Sequence, residues 1–215
     1  MTIEAVLWDF GGVFTTSPFE AFNRYEVSKG IPRDLIRTVN ATNPLENAWA
    51  LFERAEIDRD GFDLKFLEES TALGHPVRGA DVLPLLSGNL RPRIVAALAK
   101  CKERFVCACI TNNIQGAGHG EGMAATSEKA AEVAEVMASF DAVIESSKIG
   151  IRKPDPRIYR HACDLLGVEP EHCIYLDDLG VNLKPARDMG MTTIKVLNAA
   201  QAITELKAAT GLALR

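Results

Sequence analysis

The sequence predicts an α/β protein: a parallel sheet sandwiched by helices, with a helical insertion after the first strand. Three observations carry that expectation. Five short apolar runs, at 5–10, 105–111, 142–144, 173–176 and 192–196, show no polar alternation, the pattern of strands covered on both faces. Helical periodicity separates the later runs. The stretch 16–87 breaks the alternation, holding helical patterns and no strand pattern.

Each element has its own signal. The run 5–10 stops at Gly11-Gly12. In the insertion, helical patterns cover 19–28, 32–39, 45–55, 62–73 and 81–86. Trp49 and Phe52, spaced i and i+3, read as its apolar core. The helix at 91–102 lines up Ile94, Val95, Leu98 and Ala99. The strand FVCACIT, 105–111, stops at Asn112-Asn113. Next comes IQGAGHGEG, 114–122, which has neither the G-K-[ST] ending of a phosphate loop nor G-x-G-x-x-G spacing. It reads as a surface loop or as a flap presenting His119 or Glu121. A helix at 127–140 places Val133, Val136 and Met137 on one side, and the strand 142–144 follows. The helix 156–166 has Asp155 as N-cap, Pro156 in the first position and Gly167 as its stop. The strand 173–176 stops at Asp177-Asp178. A helix at 182–189 takes Asn182 as N-cap and Gly190 as C-cap; the strand 192–196 and a helix at 203–209 complete the chain.

Composition narrows the function classes. At 215 residues the chain makes one large domain, or one domain with a substantial insertion. Lys plus Arg number 24 against 29 Asp plus Glu, a net charge of −5, whereas a duplex nucleic-acid partner calls for a basic face. No apolar run reaches the roughly 20 residues of a membrane helix. MTIEAVLWDF has no basic region followed by a long apolar stretch, so no signal peptide is expected. Five cysteines, an odd number without C-x-x-C, read as buried thiols of a cytoplasmic protein.

Polar groups fall at the ends of three strands: Asp9 after the first, Thr111, Asn112 and Asn113 after the second, Asp177 and Asp178 after the fourth. Lys153 lies in the loop GIRKPDP. Each alone is ordinary turn chemistry. Parallel strands bring their C-terminal ends to one edge, where together these groups make a site. Asp9 is a candidate nucleophile, since a carboxylate can form an acyl-phosphate. Asp177 and Asp178 offer hard oxygen ligands suited to Mg²⁺. Thr111 and the N–H groups after it can hold phosphate oxygens, and Lys153 can neutralise charge on a phosphoryl group.

With WDFGGV at 8–13, ITNN at 110–113, Lys153 in KPDP and LDDLGVN at 176–182, the chain resembles the haloacid dehalogenase superfamily. From residue 140 onward it is similar to the N-terminal phosphatase domain of soluble epoxide hydrolase. The resemblance implies a Rossmann-like core at 1–15 and 88–215, a helical cap at 16–87, and Mg²⁺-dependent hydrolysis of a small phosphate monoester through an aspartyl-phosphate. Matched by position, Asp9 would be the nucleophile and a metal ligand, and the Gly11 carbonyl a second ligand. Asp178, with Asp177 beside it, would be the metal-binding acid. Thr111 and Asn112 would hold phosphate, and Lys153 would be the motif lysine.

The sequence departs from the phosphatase pattern at Gly11, where relatives carry the Asp that serves as general acid and base. Such a group is worth about 10²–10⁴-fold in rate. Dehalogenases of the superfamily also lack it and need no metal, but the acid pair Asp177-Asp178 is intact here and favours a phosphate site. Thr15, Thr16, a cap side chain or water could stand in. Two rival readings remain: a metal-independent dehalogenase, with Asp9 attacking a halide-bearing carbon, and a phosphate-binding protein without turnover.

Overall fold

The computed structural model describes residues 2–114 and 127–214. The strands β1 (Ala5–Trp8), β2 (Val106–Thr111), β3 (Ala142–Glu145), β4 (Cys173–Asp177) and β5 (Thr192–Lys195) form a parallel sheet in the order β3-β2-β1-β4-β5. Ala5 of β1 pairs with Val106 on one side and Cys173 on the other. The chain lays β2 and β3 to one side of β1, then returns to place β4 on the other. The strand order therefore reverses at β1, and the carboxyl ends of β1, β2 and β4 border the crevice where open α/β sheets bind ligands.

Among the described residues, six helices accompany the sheet: α6 (Pro92–Cys101), α7 (Ser127–Ala138), α8 (Ser146–Ile149), α9 (Pro156–Leu166), α10 (Gly180–Asp188) and α11 (Ala199–Thr210). Val6 and Trp8 pack with Ile94 and Leu98 of α6 and Ile203 and Leu206 of α11. Ala5 and Leu7 pack on the opposite face with Ile158 and Ala162 of α9 and Leu183 and Ala186 of α10. This explains the unbroken apolar run, since successive β1 side chains enter two different cores. Burying one such leucine contributes about 1.5–3 kcal/mol.

Between β1 and α6 lie α1 (Phe19–Lys29), α2 (Leu35–Ala41), α3 (Ala48–Glu53), α4 (Arg59–Ala72), α5 (Gly79–Val82) and a 3-10 turn at Leu83–Leu86. They build a separate apolar core around Phe62, whose ring centroid lies 4.7 Å from that of Trp49 and 4.8 Å from that of Phe52. The two connections to this helical unit run side by side: Thr15 bridges Leu90, and Thr16 N–H donates to the Asn89 carbonyl at 2.9 Å.

Several boundaries differ from the sequence expectation. Strand β1 ends at Trp8, short of residue 10, because the chain turns there. Phe10 N–H donates to Asp9 Oδ1 at 2.7 Å, and Phe14 N–H to the Phe10 carbonyl at 2.9 Å. Asn182 is not an N-cap: α10 begins at Gly180, and the Asn182 side chain is buried against Asp177. Helix α11 starts at Ala199 rather than 203, because Asn198 and Gln201 form a capping box. The helix expected at 81–86 divides into α5 and the 3-10 turn, which carries Pro84. Asp155, Pro156 and Gly167 delimit α9 as expected. The glycine-rich stretch from 115 to 122 lies outside the described residues. No helix among the described residues is long and apolar enough to cross a membrane.

Candidate active site

Asp9 leaves the end of β1 with its N–H on the Leu176 carbonyl at 2.8 Å, so the first and fourth strands fix its position together. Lys153, only 1% exposed, reaches the same point from the loop before α9. Its Nζ lies 2.6 Å from Asp9 Oδ1 and 3.0 Å from Asp177 Oδ2. Asp9 Oδ1 thus receives Lys153 Nζ and Phe10 N–H, leaving Oδ2 without a hydrogen-bond donor among the described residues. One oxygen is held by two donors and the other is the freer of the pair.

The second carboxylate is held on all sides. Asp177 Oδ1 accepts from Leu179 N–H at 2.8 Å and from Asn182 Nδ2 at 3.1 Å. Its Oδ2 accepts from Lys153 Nζ, from Asn182 Nδ2 at 3.0 Å and from the Tyr175 hydroxyl. Asp178 is placed differently. It is half-buried, and its carboxylate packs over the Cα of Gly12, where a Cβ would collide with Asp178 Oδ2. Gly12 also has φ +72°, so backbone and neighbour both require glycine. Arg91 fastens this turn, with Nη1 2.8 Å from the Gly12 carbonyl and its own N–H 2.7 Å from the Phe14 carbonyl.

One oxygen from each of Asp9, Asp177 and Asp178 lies within 4.8 Å of the others. Three carboxylates beside one ammonium leave excess negative charge, and the electrostatics follow. Burial raises the Asp9 carboxyl well above the usual carboxylate range; Lys153 pulls it down, while Asp177 and Asp178 push it up again. Burial, then Asp177, lifts the Asp178 carboxyl to about 6. Burial alone would lower the Lys153 ammonium, but Asp177 and Asp9 outweigh that effect and hold it charged. The donors fit a divalent cation. Carboxylate oxygen is the hard ligand Mg²⁺ takes, and the surplus charge is what such an ion offsets.

Thr111 closes β2 and is buried, 4% exposed. The Asn112 side chain folds back on the lysine loop: Oδ1 accepts Lys153 N–H at 2.8 Å, and Nδ2 donates to the Lys153 carbonyl at 3.1 Å. The same Nδ2 donates to Glu53 Oε2 at 3.2 Å. Asn113 ties β2 to β3 through Glu145 at 2.7 Å and Ser147 Oγ at 2.8 Å. Gly11 contributes no side chain, and a Cβ built there would meet nothing within 4 Å. Of the possible stand-ins for an acid, Thr15 Oγ1 accepts Gly12 N–H at 3.3 Å and Thr16 Oγ1 accepts Asn89 N–H at 3.1 Å.

Sequence reasoning did not single out Tyr175, Glu53 or Arg152, and it gave Asn182 a capping role instead of its bonds to Asp177. Tyr175 stands two residues before Asp177, so strand periodicity turns both to one face. Glu53 and Arg152 carried no such signal, because their meeting depends on how the helical unit docks.

Comparison with known proteins agrees with this geometry. A haloacid dehalogenase-like hydrolase profile matches residues 3–190. Bifunctional epoxide hydrolase 2 of Mus musculus is 31% identical over 224 residues, covering 98% of this chain and 39% of that enzyme. The chain thus spans well under half the length of that relative. A HAD family enzyme from Bacteroides thetaiotaomicron, solved with magnesium and inorganic phosphate, superposes with a TM-score of 0.62 at 18% identity, over 95% of this chain and 98% of that one. An L-2-haloacid dehalogenase from Xanthobacter autotrophicus, with chloropropionic acid covalently bound, gives 0.62 at 18% identity, over 99% and 85%. The last two show shared architecture. The profile, matching most of the chain, shows the family: this chain belongs to the haloacid dehalogenase-like hydrolase family.

Proposed function

We propose that this hydrolase is a Mg²⁺-dependent phosphatase acting on a small phosphate monoester through an aspartyl-phosphate on Asp9. The observation that carries the reading is the cluster of Asp9, Asp177 and Asp178 around a single lysine. A dehalogenase attacking a neutral carbon has no use for a cation site, whereas phosphoryl transfer does. Asp9 and Asp178, with the Gly11 carbonyl, would hold Mg²⁺. Asp177, the further candidate ligand beside Asp178, also accepts from Lys153, Tyr175, Asn182 and the Leu179 N–H, so it would fix the lysine as well.

In the first step Asp9 Oδ2 attacks phosphorus and the bond to the ester oxygen breaks, the departing oxygen taking its proton from a water molecule because Gly11 offers no acid. In the second, water attacks phosphorus and releases a proton to solvent, returning the one taken in the first step, the bond to Asp9 breaks, and phosphate departs with the carboxylate restored. Lys153 holds Asp9 Oδ1 and balances charge near the phosphoryl oxygens. Thr111 and the Asn112 N–H would hold those oxygens. Mg²⁺, when bound, supplies further neutralisation of the phosphoryl group. Residues 16–87 would act as the cap over the site and 1–15 with 88–215 as the catalytic core. The five free, buried cysteines suit a reducing, cytoplasmic setting.

The test is a panel of phosphate esters, with and without Mg²⁺, on wild type and Asp9→Asn. Turnover that needs both Mg²⁺ and Asp9 supports the reading. Chloride release from a 2-chloroacid in full chelator would instead establish a dehalogenase, and phosphate binding without turnover a binding protein.

A further inference from the structure

A chain of hydrogen bonds runs from the end of a cap helix to the nucleophile. Glu53 is the last residue of α3, and its side chain is 16% exposed. Its Oε2 accepts from Arg152 Nε at 2.6 Å and from Asn112 Nδ2 at 3.2 Å. Its carbonyl accepts from Ser146 Oγ at 2.7 Å, and Ser146 in turn receives Asn113 N–H at 3.1 Å. Arg152 returns to the helical unit through the Pro44 carbonyl at 3.0 Å. The next residue after Arg152 is Lys153, whose N–H and carbonyl are both held by the Asn112 amide and whose Nζ sits on Asp9.

We propose that Glu53 is a positioning residue: by engaging Asn112 and Arg152 together, it sets the Lys153 loop and so couples the seating of the cap to the Lys153–Asp9 pair. The logic is one of saturation. An Asn amide has two N–H donors; the Lys153 carbonyl takes one, and Glu53 takes the second from the same nitrogen. With Glu53 in place both ends of the amide are fixed, and the residue on each side of the peptide before Lys153 is anchored. With Glu53 displaced, Arg152 loses its carboxylate and the Asn112 amide its outer acceptor. The lysine then rides on a loop held from one side only. A misplacement of about 1 Å in a positioning group can cost on the order of 10²-fold in rate. The active geometry therefore depends on a docked cap, with Glu53 acting through Asn112 and Arg152 and not through a bond to Asp9.

This inference rests on the phosphatase reading, and its test separates the two. The full chain is assayed with Mg²⁺ on acetyl phosphate, which has almost no leaving group for a cap to grip, and on phenyl phosphate. Inorganic phosphate binding and thermal unfolding are followed alongside. Glu53→Ala should lower kcat on both substrates by about 10- to 100-fold and should weaken phosphate binding. Glu53→Gln, which keeps an acceptor for Asn112, should recover most of the loss. Adding Glu53→Ala to Asn112→Ala should cost little more than Asn112→Ala alone, because both cut one path. If Glu53→Ala does not fold, Glu53→Met keeps the length without the acceptor and carries the same expectation. Unchanged kcat and phosphate affinity in a folded variant, or full additivity with Asn112→Ala, would overturn the role of Glu53 while wild-type turnover upheld the phosphatase reading. A wild type that neither binds phosphate nor hydrolyses an ester would remove both.

Discussion

Lys153 Nζ lies 2.6 Å from Asp9 Oδ1 in a site where the lysine is 1% exposed and Asp9 7% exposed. The ammonium also holds Asp177 Oδ2 at 3.0 Å, so one cation serves two buried carboxylates. Removing one partner from a buried pair costs about 3–5 kcal/mol, because the remaining charge stays buried without compensation. Lys153→Met should therefore both abolish turnover and destabilise the fold at neutral pH by that order. Chemical denaturation of the variant at about pH 7 and about pH 5 checks the cause: protonation of the stranded carboxylates should relieve part of the loss in acid. A variant as stable as wild type at neutral pH would show that the pair is not what holds this edge of the sheet.

Asp9→Asn keeps the side-chain shape and removes the attacking charge. Turnover should fall by several orders of magnitude, since the amide oxygen cannot form the acyl-phosphate. The fold should survive, because the variant also removes one of three crowded carboxylates. Intact-mass measurement during turnover should find a phosphorylated wild type and an unmodified variant. Normal turnover by Asp9→Asn would take this residue out of the chemistry.

The sequence made most of this site legible, and for a physical reason. Strands covered on both faces must be apolar throughout, so Asp9, Thr111 and Asp177 stand out where β1, β2 and β4 end. Topology then brings those ends together. Side-chain bonding was hidden. Asp177 and Asp178 look equivalent in the chain, yet Asp177 turns into the core to meet Lys153 and Tyr175 while Asp178 turns over Gly12. Asn182 looked like a cap because Asn is a good one, but its amide was needed by Asp177. The start of α11 was readable in Asn198 and Gln201, a capping box in the sequence itself. Glu53 and Arg152 were not readable, since they are 99 residues apart and meet only where the helical unit packs against the lysine loop.

Proton and metal ion should compete at Asp178. Burial, then Asp177, raises its carboxyl from the ordinary 3.8 to about 6. A carboxyl raised in the folded state favours folding below its unfolded value and withdraws that support as pH rises through the folded one. The metal-free protein should thus lose stability from this group between about pH 4 and about pH 6, and Asp9, raised in the same direction, extends the trend. Mg²⁺ affinity should climb over the same window as protons leave. Calorimetric titration of Mg²⁺ across it, with proton release read from buffers of different ionisation enthalpy, measures both. Asp178→Ala should weaken Mg²⁺ binding by more than the roughly 10–100-fold that loss of an outer partner costs. Affinity that ignores both pH and this substitution would exclude Asp178 as a ligand.

Gly11 is where the chain departs from its phosphatase relatives, and the structure leaves room to restore what is missing. A Cβ at Gly11 meets nothing within 4 Å, and its backbone is not among the left-handed glycines, in contrast to Gly12 beside it. Gly11→Asp should therefore fold, whereas Gly12→Ala should not keep Asp178 in place. A positioned acid helps most when the departing oxygen is basic, since that oxygen needs a proton in the transition state. Gly11→Asp should raise kcat severalfold on an alkyl phosphate and much less on nitrophenyl phosphate, whose leaving group departs unaided. The pH profile should change with it: a new acidic limb belongs to the added carboxylate acting as base for water in the second step. The comparison is made on protein whose unfolding midpoint matches wild type, so that a fold defect is not read as chemistry. Equal or lower activity on both esters in such protein would mean that the proton already comes from another group, such as Thr15 or a cap side chain, or that phosphoryl transfer is not the task of this site.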